Sequence, residues 1–285
     1  MSDLRDKNLK VAKTIKLFIG GDFLRTESGR TIPVYRHGSK ILYAHLCRSS
    51  RKDFRNAISA AQGALGAWSS QSAYNRSLII YRMAEMMEGK HHEFTEILME
   101  TLGYSKTSAY KTVDKAIDSF VYYAGWADKF QQVVGTVNPV SGPHHNFTNP
   151  EPVGVVALIA NEVFDLVSLI TSISGIIASG NTLVVLMGEH GGALLAPLAE
   201  VFATSDLTKG AVNLLTGNTQ ELYKQFGSHM ELQSLCCQNV DLKILSELKE
   251  LAAENMKRVV VSPKSNLDLD HVLNFVEYKT VWHPR

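Results

Sequence analysis

The sequence predicts an α/β protein built on a parallel sheet, because short apolar runs alternate with longer helical ones over residues 151–217. The predicted strands and helices are Val153–Ile159, Phe164–Ala178, Thr182–Leu186, Leu194–Ala203 and Ala211–Leu215. A helix between successive strands is typical of right-handed crossovers in a parallel sheet. Such sheets bind ligands at the carboxyl ends of their strands. After Gly217 the alternation continues, with predicted elements at Gln220–Phe226, Leu232–Cys237, Leu242–Ala253 and Lys257–Val261.

The first 130 residues predict a pair of strands followed by a layer of four helices. The strands flank a turn at Gly20-Gly21 and a second turn at residues 27–29. The first helix begins at Ser50 with a capping-box-like S-R-K-D, and the second begins at Ser72. The third helix ends at Gly103, a residue type that favours the left-handed backbone found after helices. The fourth helix carries apolar residues at helical spacing over residues 113–124.

Residues 131–152 interrupt this pattern and predict an arm or hairpin that leaves the main body. Four prolines argue against a central strand or a helix interior here: Pro139, Pro143, Pro150 and Pro152. His144 and His145 have no carboxylate nearby in the sequence, so we interpret them as solvated loop residues rather than metal ligands. The tail from 271 to 285 predicts a further strand, with Val276, Tyr278, Thr280 and Trp282 on one face.

Composition indicates a soluble globular protein with 45% hydrophobic and 20% charged residues in a chain of 285. The net charge of +1 gives no reason to expect a nucleic acid or an anionic membrane as partner. The start of the chain has no apolar core of a signal peptide, and the three cysteines form no disulfide or metal pattern. A cytoplasmic location is the expectation. No Lys or Arg lies between Lys129 and Lys209, so we expect only backbone donors for an anion in that stretch.

Several ordered motifs resemble the aldehyde dehydrogenase superfamily. They are FIGGDFLRTESGRTIPV, EPVGVVALI, SGNTLVV, LTKGAVNLLTG and NMKRVVV, spread over residues 16–262. The resemblance implies one Rossmann-like, NAD-binding-type domain over residues 1–285. It also implies an oligomerisation arm at 131–152, a C-terminal strand at 271–285, and no catalytic domain. Residues 51–87 and 202–217 and the closing VEYKTVWHPR resemble the truncated second copy of two-copy family 16 aldehyde dehydrogenases. Such copies are regarded as non-catalytic and as contributing to assembly.

Most of the family's functional residues are replaced by other residue types in this sequence. The oxyanion donor becomes Val163, which cannot stabilise a developing negative charge. The ribose-binding K-P-x-E becomes Leu186-Met187-Gly188-Glu189, so only Glu189 matches. The phosphate-facing F-T-G-S becomes 237–240, and the motif carrying the general base becomes Ser262-Pro263-Lys264-Ser265. Glu189 and Gly217 remain as vestigial cofactor-binding residues. We expect no cofactor or weakly bound NAD(P), no catalytic residue and no metal site.

Cys236 and Cys237 are the alternative candidates for a nucleophile. Adjacent cysteines in an apolar strand usually behave as small buried hydrophobic residues, and a reactive thiol needs a cationic or helix-terminal setting. Asp241 would raise a thiol pKa further. We therefore favour a core role over a catalytic one.

Three functions remain open from the sequence. The leading hypothesis is a catalytically defective aldehyde dehydrogenase homologue with an assembly or regulatory role. The first alternative is an oxidoreductase component that gives a dinucleotide-binding half to a separate catalytic aldehyde dehydrogenase chain. The second is a small-molecule-binding module. Unpaired strands in the arm and tail also predict a homo-oligomer. We favour a dimer over the alternative in which the arm and tail fold back on their own domain and cover its edge.

Overall fold

The structure is a computed structural model that describes residues 12–160, 164–262 and 266–285. Its strands are β1 (Lys13–Ile15), β2 (Leu17–Ile19), β3 (Asp22–Leu24), β4 (Thr31–Tyr35), β5 (Leu42–Cys47), β6 (Thr136–Asn138), β7 (His144–Pro152), β8 (Val155–Ala160), β9 (Thr182–Met187), β10 (Val212–Thr216), β11 (Ser234–Gln238), β12 (Arg258–Val261) and β13 (Val276–Pro284). Its helices are α1 (Arg51–Ser69), α2 (Ala73–Gly89), α3 (His91–Leu102), α4 (Lys106–Ala127), α5 (Phe130–Val134), α6 (Leu166–Ala178), α7 (Leu195–Thr204), α8 (Thr219–Ser228), α9 (Leu242–Ala253) and α10 (Asp270–Leu273).

A seven-stranded sheet in the order β12-β11-β8-β9-β10-β2-β3 forms the centre of the molecule. Its first five strands are parallel, which confirms the predicted α/β class. β2 and β3 extend it as an antiparallel hairpin around Gly20 and Gly21, whose φ angles of 64° and 87° suit glycine. The sequence predicted this hairpin but not its place in the sheet. A separate small sheet has the order β1-β5-β4.

Helices cover both faces of the parallel strands, so β8, β9 and β10 are buried along their whole length. Side chains alternate between two apolar clusters. Val156 and Leu158 belong to the cluster that includes residues of α2, α3, α4, α6 and α7. Val155 and Ile159 belong to the cluster that includes residues of α1, α8 and α9. The parallel strands of this sheet are covered on both faces, so they need continuous apolar runs rather than alternating apolar and polar residues.

The predicted helical layer is confirmed, including its capping. Ser50 Oγ accepts hydrogen bonds from the backbone N–H groups of Lys52 and Asp53, both at 3.2 Å. Asp53 Oδ2 accepts in return from the Ser50 N–H at 2.8 Å, which completes a capping box. Ser72 Oγ caps α2, and Gly103 ends α3 in the left-handed conformation. The start of α1 is thus fixed by its own local sequence.

The third sheet has the order β13-β7-β6, and it confirms the predicted hairpin and a tail strand. The tail strand is shorter than the predicted 271–285, because residues 270–273 form α10. The expectation that the prolines exclude a central strand is wrong, because β7 is the middle strand and contains Pro150 and Pro152. β6 pairs only with residues 146–148 of β7. Both prolines therefore lie where β7 pairs with β13 alone, outside the part of β7 that is a middle strand. α5, which the sequence did not predict, precedes this sheet.

Asn181 joins three parts of the chain at the start of β9. Its Oδ1 accepts from the Gly154 N–H at 2.9 Å, just before β8. Its Nδ2 donates to Phe275 O at 2.8 Å, just before β13, and also to Ile176 O and Ser179 Oγ. Asn181 is fully buried. The amide therefore anchors the segment leading into β13 on the central sheet.

Candidate functional site

The carboxyl ends of the parallel strands meet at one edge of the central sheet. Ala160 pairs with Met187, Met187 with Thr216, and Gln238 with Ala160, so β8 to β11 end side by side. Ligand sites in sheets of this type lie at this edge. Glu189 and Gly217, the two residues predicted from the sequence, both follow strands here. The structure therefore places them at the same edge.

Gly217 connects the strand ends to the link between β5 and α1. Its N–H donates to Met187 O at 3.3 Å, and the neighbouring Ser49 N–H donates to Thr216 O at 2.9 Å. A Cβ on Gly217 would lie 3.5 Å from Leu222 Cδ1 and from Ser49 N, which is ordinary contact. No steric demand or positive φ accounts for a glycine at this position. Glu189 lies in an exposed turn after β9.

The positions that carry cofactor donors in the resembled family are apolar or already bonded here. Leu186 is fully buried in the cluster beneath α1 and α8. Gln238 Nε2 donates to Ser168 O at 2.7 Å and to Ser172 Oγ at 2.8 Å, on α6. Asn239 follows with a φ of 47°. Leu186 and Gln238 therefore offer a dinucleotide neither a cation nor a free side-chain donor.

Two predicted changes lie outside the described residues. They are the oxyanion position, Val163, and Pro263, Lys264 and Ser265 of the segment that replaces the general-base motif.

Cys236 and Cys237 are buried in β11, as the sequence predicted. Burial raises the pKa of each thiol to about 12, so neither forms a thiolate near neutral pH. The predicted influence of Asp241 is not the cause. The Asp241 carboxylate instead caps α9 by accepting from the Lys243 N–H at 2.8 Å.

The interpretation of His144 and His145 as loop residues is wrong, because both lie in β7 opposite Pro284 and His283. His144 contacts the Trp282 ring edge-to-face, with centroids 6.0 Å apart. Among the residues that the structure describes, no group of three or more His, Cys, Asp or Glu side chains is arranged to hold a metal.

No Lys or Arg lies between Lys129 and Lys209, but a cation from outside that stretch, Arg48, lies near this edge. Arg48 hydrogen-bonds Glu221 through Nε at 3.1 Å and through Nη2. The Glu221 and Glu189 carboxylates raise the Arg48 pKa, with the Glu221 hydrogen bond as the largest cause. Arg48 lines a cavity of about 540 Å³ between the start of α1 and α8. A basic R-S-S-R-K run beside a predicted helix start was the available signal.

Comparison with known proteins assigns the family. The model of the aldehyde dehydrogenase family matches residues 23–263, so the chain belongs to the aldehyde dehydrogenase family. It is 29% identical over 260 residues to cytosolic 10-formyltetrahydrofolate dehydrogenase of Mus musculus, covering 89% of this chain and 28% of that protein. It is 30% identical over 223 residues to mitochondrial benzaldehyde dehydrogenase of Antirrhinum majus, covering 77% of this chain and 41% of that one.

Solved structures give the same result. An NAD⁺ complex of aldehyde dehydrogenase from Bacillus cereus superposes with a TM-score of 0.81 at 26% identity, covering 87% of this chain and 50% of that one. The chain thus spans half or less of the length of these relatives. Across the described residues, no helix has the length and apolarity needed to cross a membrane.

Proposed function

We propose that this chain is a non-catalytic aldehyde dehydrogenase homologue that acts in assembly or regulation and binds NAD(P) weakly or not at all. The observation that carries the proposal is that side chains at the strand ends are buried or already hydrogen-bonded within the chain. Leu186 is buried in the core where the family has a lysine, and the Gln238 amide is already bonded to α6. Losing a charge-assisted contact and a phosphate-facing helix start removes several kcal/mol of cofactor affinity, at about 1.5–3 kcal/mol each.

A calorimetric titration with oxidised and reduced dinucleotides tests this part of the proposal. We expect no saturable binding at low micromolar concentration and no dinucleotide reduction with a panel of aldehydes. Saturable low-micromolar binding would contradict weak cofactor binding. Aldehyde oxidation that disappears when Cys236 or Cys237 is replaced would contradict a non-catalytic role, since it would require a covalent thiol intermediate.

The β13-β7-β6 sheet supports the assembly role. Val137, Phe147 and Val281 are in register across its three strands, so they share one face. The two valines are 71% and 43% exposed. An exposed apolar row on a small sheet with open strand edges suits association with a second copy of the chain. A homo-oligomer formed through residues 131–152 and 271–285 is therefore part of the proposal, as is a cytoplasmic location.

Measuring mass in solution for charged variants tests the assembly role. We expect an oligomer for the wild-type chain and a monomer for a Val137→Lys/Val281→Lys double variant. Val121→Lys on α4 is the matched control, because Val121 is also 43% exposed but is not part of this sheet. A wild-type chain that is monomeric at high concentration, or a double variant that stays oligomeric, would refute assembly through this sheet.

A further inference from the structure

The cavity between α1 and α8 has a strongly positive lining. Arg30, Arg48, Arg51 and Lys224 line it, against the single carboxylate of Glu221. The Arg48 N–H donates to Arg30 O at 3.0 Å, which holds these two residues side by side at the ends of β4 and β5. This excess of positive charge is local, because the chain as a whole carries a net charge of only +1. A concave, positively charged site concentrates anions.

Ser49 supplies an independent observation. It lines the same cavity and is only 4% exposed, yet its Oγ makes no hydrogen bond with any described residue. A buried hydroxyl without a partner is costly, and native proteins rarely leave one unsatisfied. Its neighbour Ser50 uses its own Oγ to cap α1, so Ser49 is not needed for the cap. The Ser49 hydroxyl is therefore available to a ligand in the cavity.

The residue types indicate the kind of anion. Arginine guanidinium groups bind phosphate through paired, charge-assisted hydrogen bonds, and a positive helix N-terminus adds to the attraction. α1 has 19 residues and begins at the cavity. The volume of about 540 Å³ lies within the range of small-molecule sites and exceeds what one phosphate needs. Leu222 and Gln220 also line it and offer apolar and amide contacts to an attached organic group.

We propose that this cavity binds a small phosphorylated molecule, with Arg48 and its basic neighbours on the phosphate and the Ser49 hydroxyl donating to it. Glu221 forms an ion pair with Arg48 when no ligand is bound, so the phosphate and the Glu221 carboxylate compete for the Arg48 guanidinium. The predicted cofactor residues, Glu189 and Gly217, do not line the cavity, and neither do Leu186 and Gln238. Its occupancy does not depend on whether the chain is catalytic or binds a dinucleotide.

Titration calorimetry with inorganic pyrophosphate and inorganic phosphate at low ionic strength tests the proposal on the full chain. We expect saturable binding that weakens as salt is added, because the attraction is electrostatic. Arg48→Gln should weaken pyrophosphate binding about tenfold or more. Arg36→Gln is the matched control, because Arg36 is a half-exposed arginine in an ion pair with Glu100, away from the cavity. It should bind like the wild-type chain.

Two further variants separate ligand contact from structural damage. Ser49→Ala should weaken binding about threefold to tenfold without lowering the melting temperature, because its Oγ bonds no described residue. Glu221→Gln should tighten binding, because it removes the competing carboxylate. Absence of saturable binding to the wild-type chain overturns the proposal. So does equal binding by Arg48→Gln and Arg36→Gln, by Ser49→Ala and wild type, or weaker binding by Glu221→Gln.

Discussion

Loss of the buried Asn181 amide should destabilise the fold strongly. Asn181→Ala removes the acceptor for the Gly154 N–H and two N–H donors, which serve Phe275 O, Ser179 Oγ and, at 3.3 Å, Ile176 O. At about 1 kcal/mol for each of these three groups this is about 3 kcal/mol, and buried partners left unsatisfied raise the loss further. Because domains are stable by only about 5–15 kcal/mol, the change removes a large share of the free energy of unfolding.

Urea denaturation followed by tryptophan fluorescence and circular dichroism measures this loss. Asn75→Ala is the control, since Asn75 is exposed on α2 and we expect a change within about 0.5 kcal/mol. The variant Asn181→Asp separates the loss of the two N–H donors from the loss of side-chain volume. It retains an acceptor for the Gly154 N–H, but it turns an oxygen toward Phe275 O and buries a charge. We expect Asn181→Asp to be strongly destabilised as well. A loss below about 1.5 kcal/mol for Asn181→Ala would refute the reasoning.

Three further outcomes follow from buried groups and glycines. Native Cys236 and Cys237, with thiol pKa values raised by burial to about 12, should resist iodoacetamide at pH 8 and react only after unfolding, which mass spectrometry detects. Burial lowers the Lys257 pKa to about 8, so the folded chain loses this proton before the unfolded chain does. The free energy of unfolding of the wild-type chain, taken relative to that of Lys257→Met, should therefore rise by up to about 3 kcal/mol between pH 8 and 10.5; the comparison cancels the opposite effect of the two buried thiols. Gly210→Ala should destabilise the fold by about 2 kcal/mol or more, because φ is 87° and the new Cβ would lie 2.7 Å from the backbone oxygen of Ala60. Gly66→Ala is the control: Gly66 lies in α1 with open space around it, so we expect a stabilisation of about 0.5–1 kcal/mol. Equal effects of the two glycine changes would contradict this account.

Local features of the fold were readable from the sequence. The capping box of Ser50 and Asp53 and the end of α3 at Gly103 depend on residues within one helical turn. The parallel sheet was readable because strands covered on both faces must be continuously apolar. The predicted bounds of the parallel strands differ from the observed ones by at most two residues, as with Val153–Ile159 and β8.

Features that depend on distant pairing were missed. β2 joins the central sheet through the pairing of Phe18 with Leu214, almost two hundred residues away. The same applies to the candidate site. Counting charges between Lys129 and Lys209 could not reveal Arg48, which reaches the strand ends only after β5 and α1 are placed. Pro150 gave a misleading signal because a strand can be central over part of its length and have one neighbour over the rest.

The pairing of β13 with β7 also has a consequence for synthesis on the ribosome. More than a hundred residues separate the two strands, so at about 5–20 residues per second β13 emerges roughly 6–25 s after β7. During that interval the β6-β7 hairpin has an open edge, and the Asn181 amide lacks the carbonyl of Phe275. Neighbouring nascent chains on one message could exchange their β13 strands. Exchange of this kind would produce intertwined dimers whose yield depends on translation speed rather than on protein concentration.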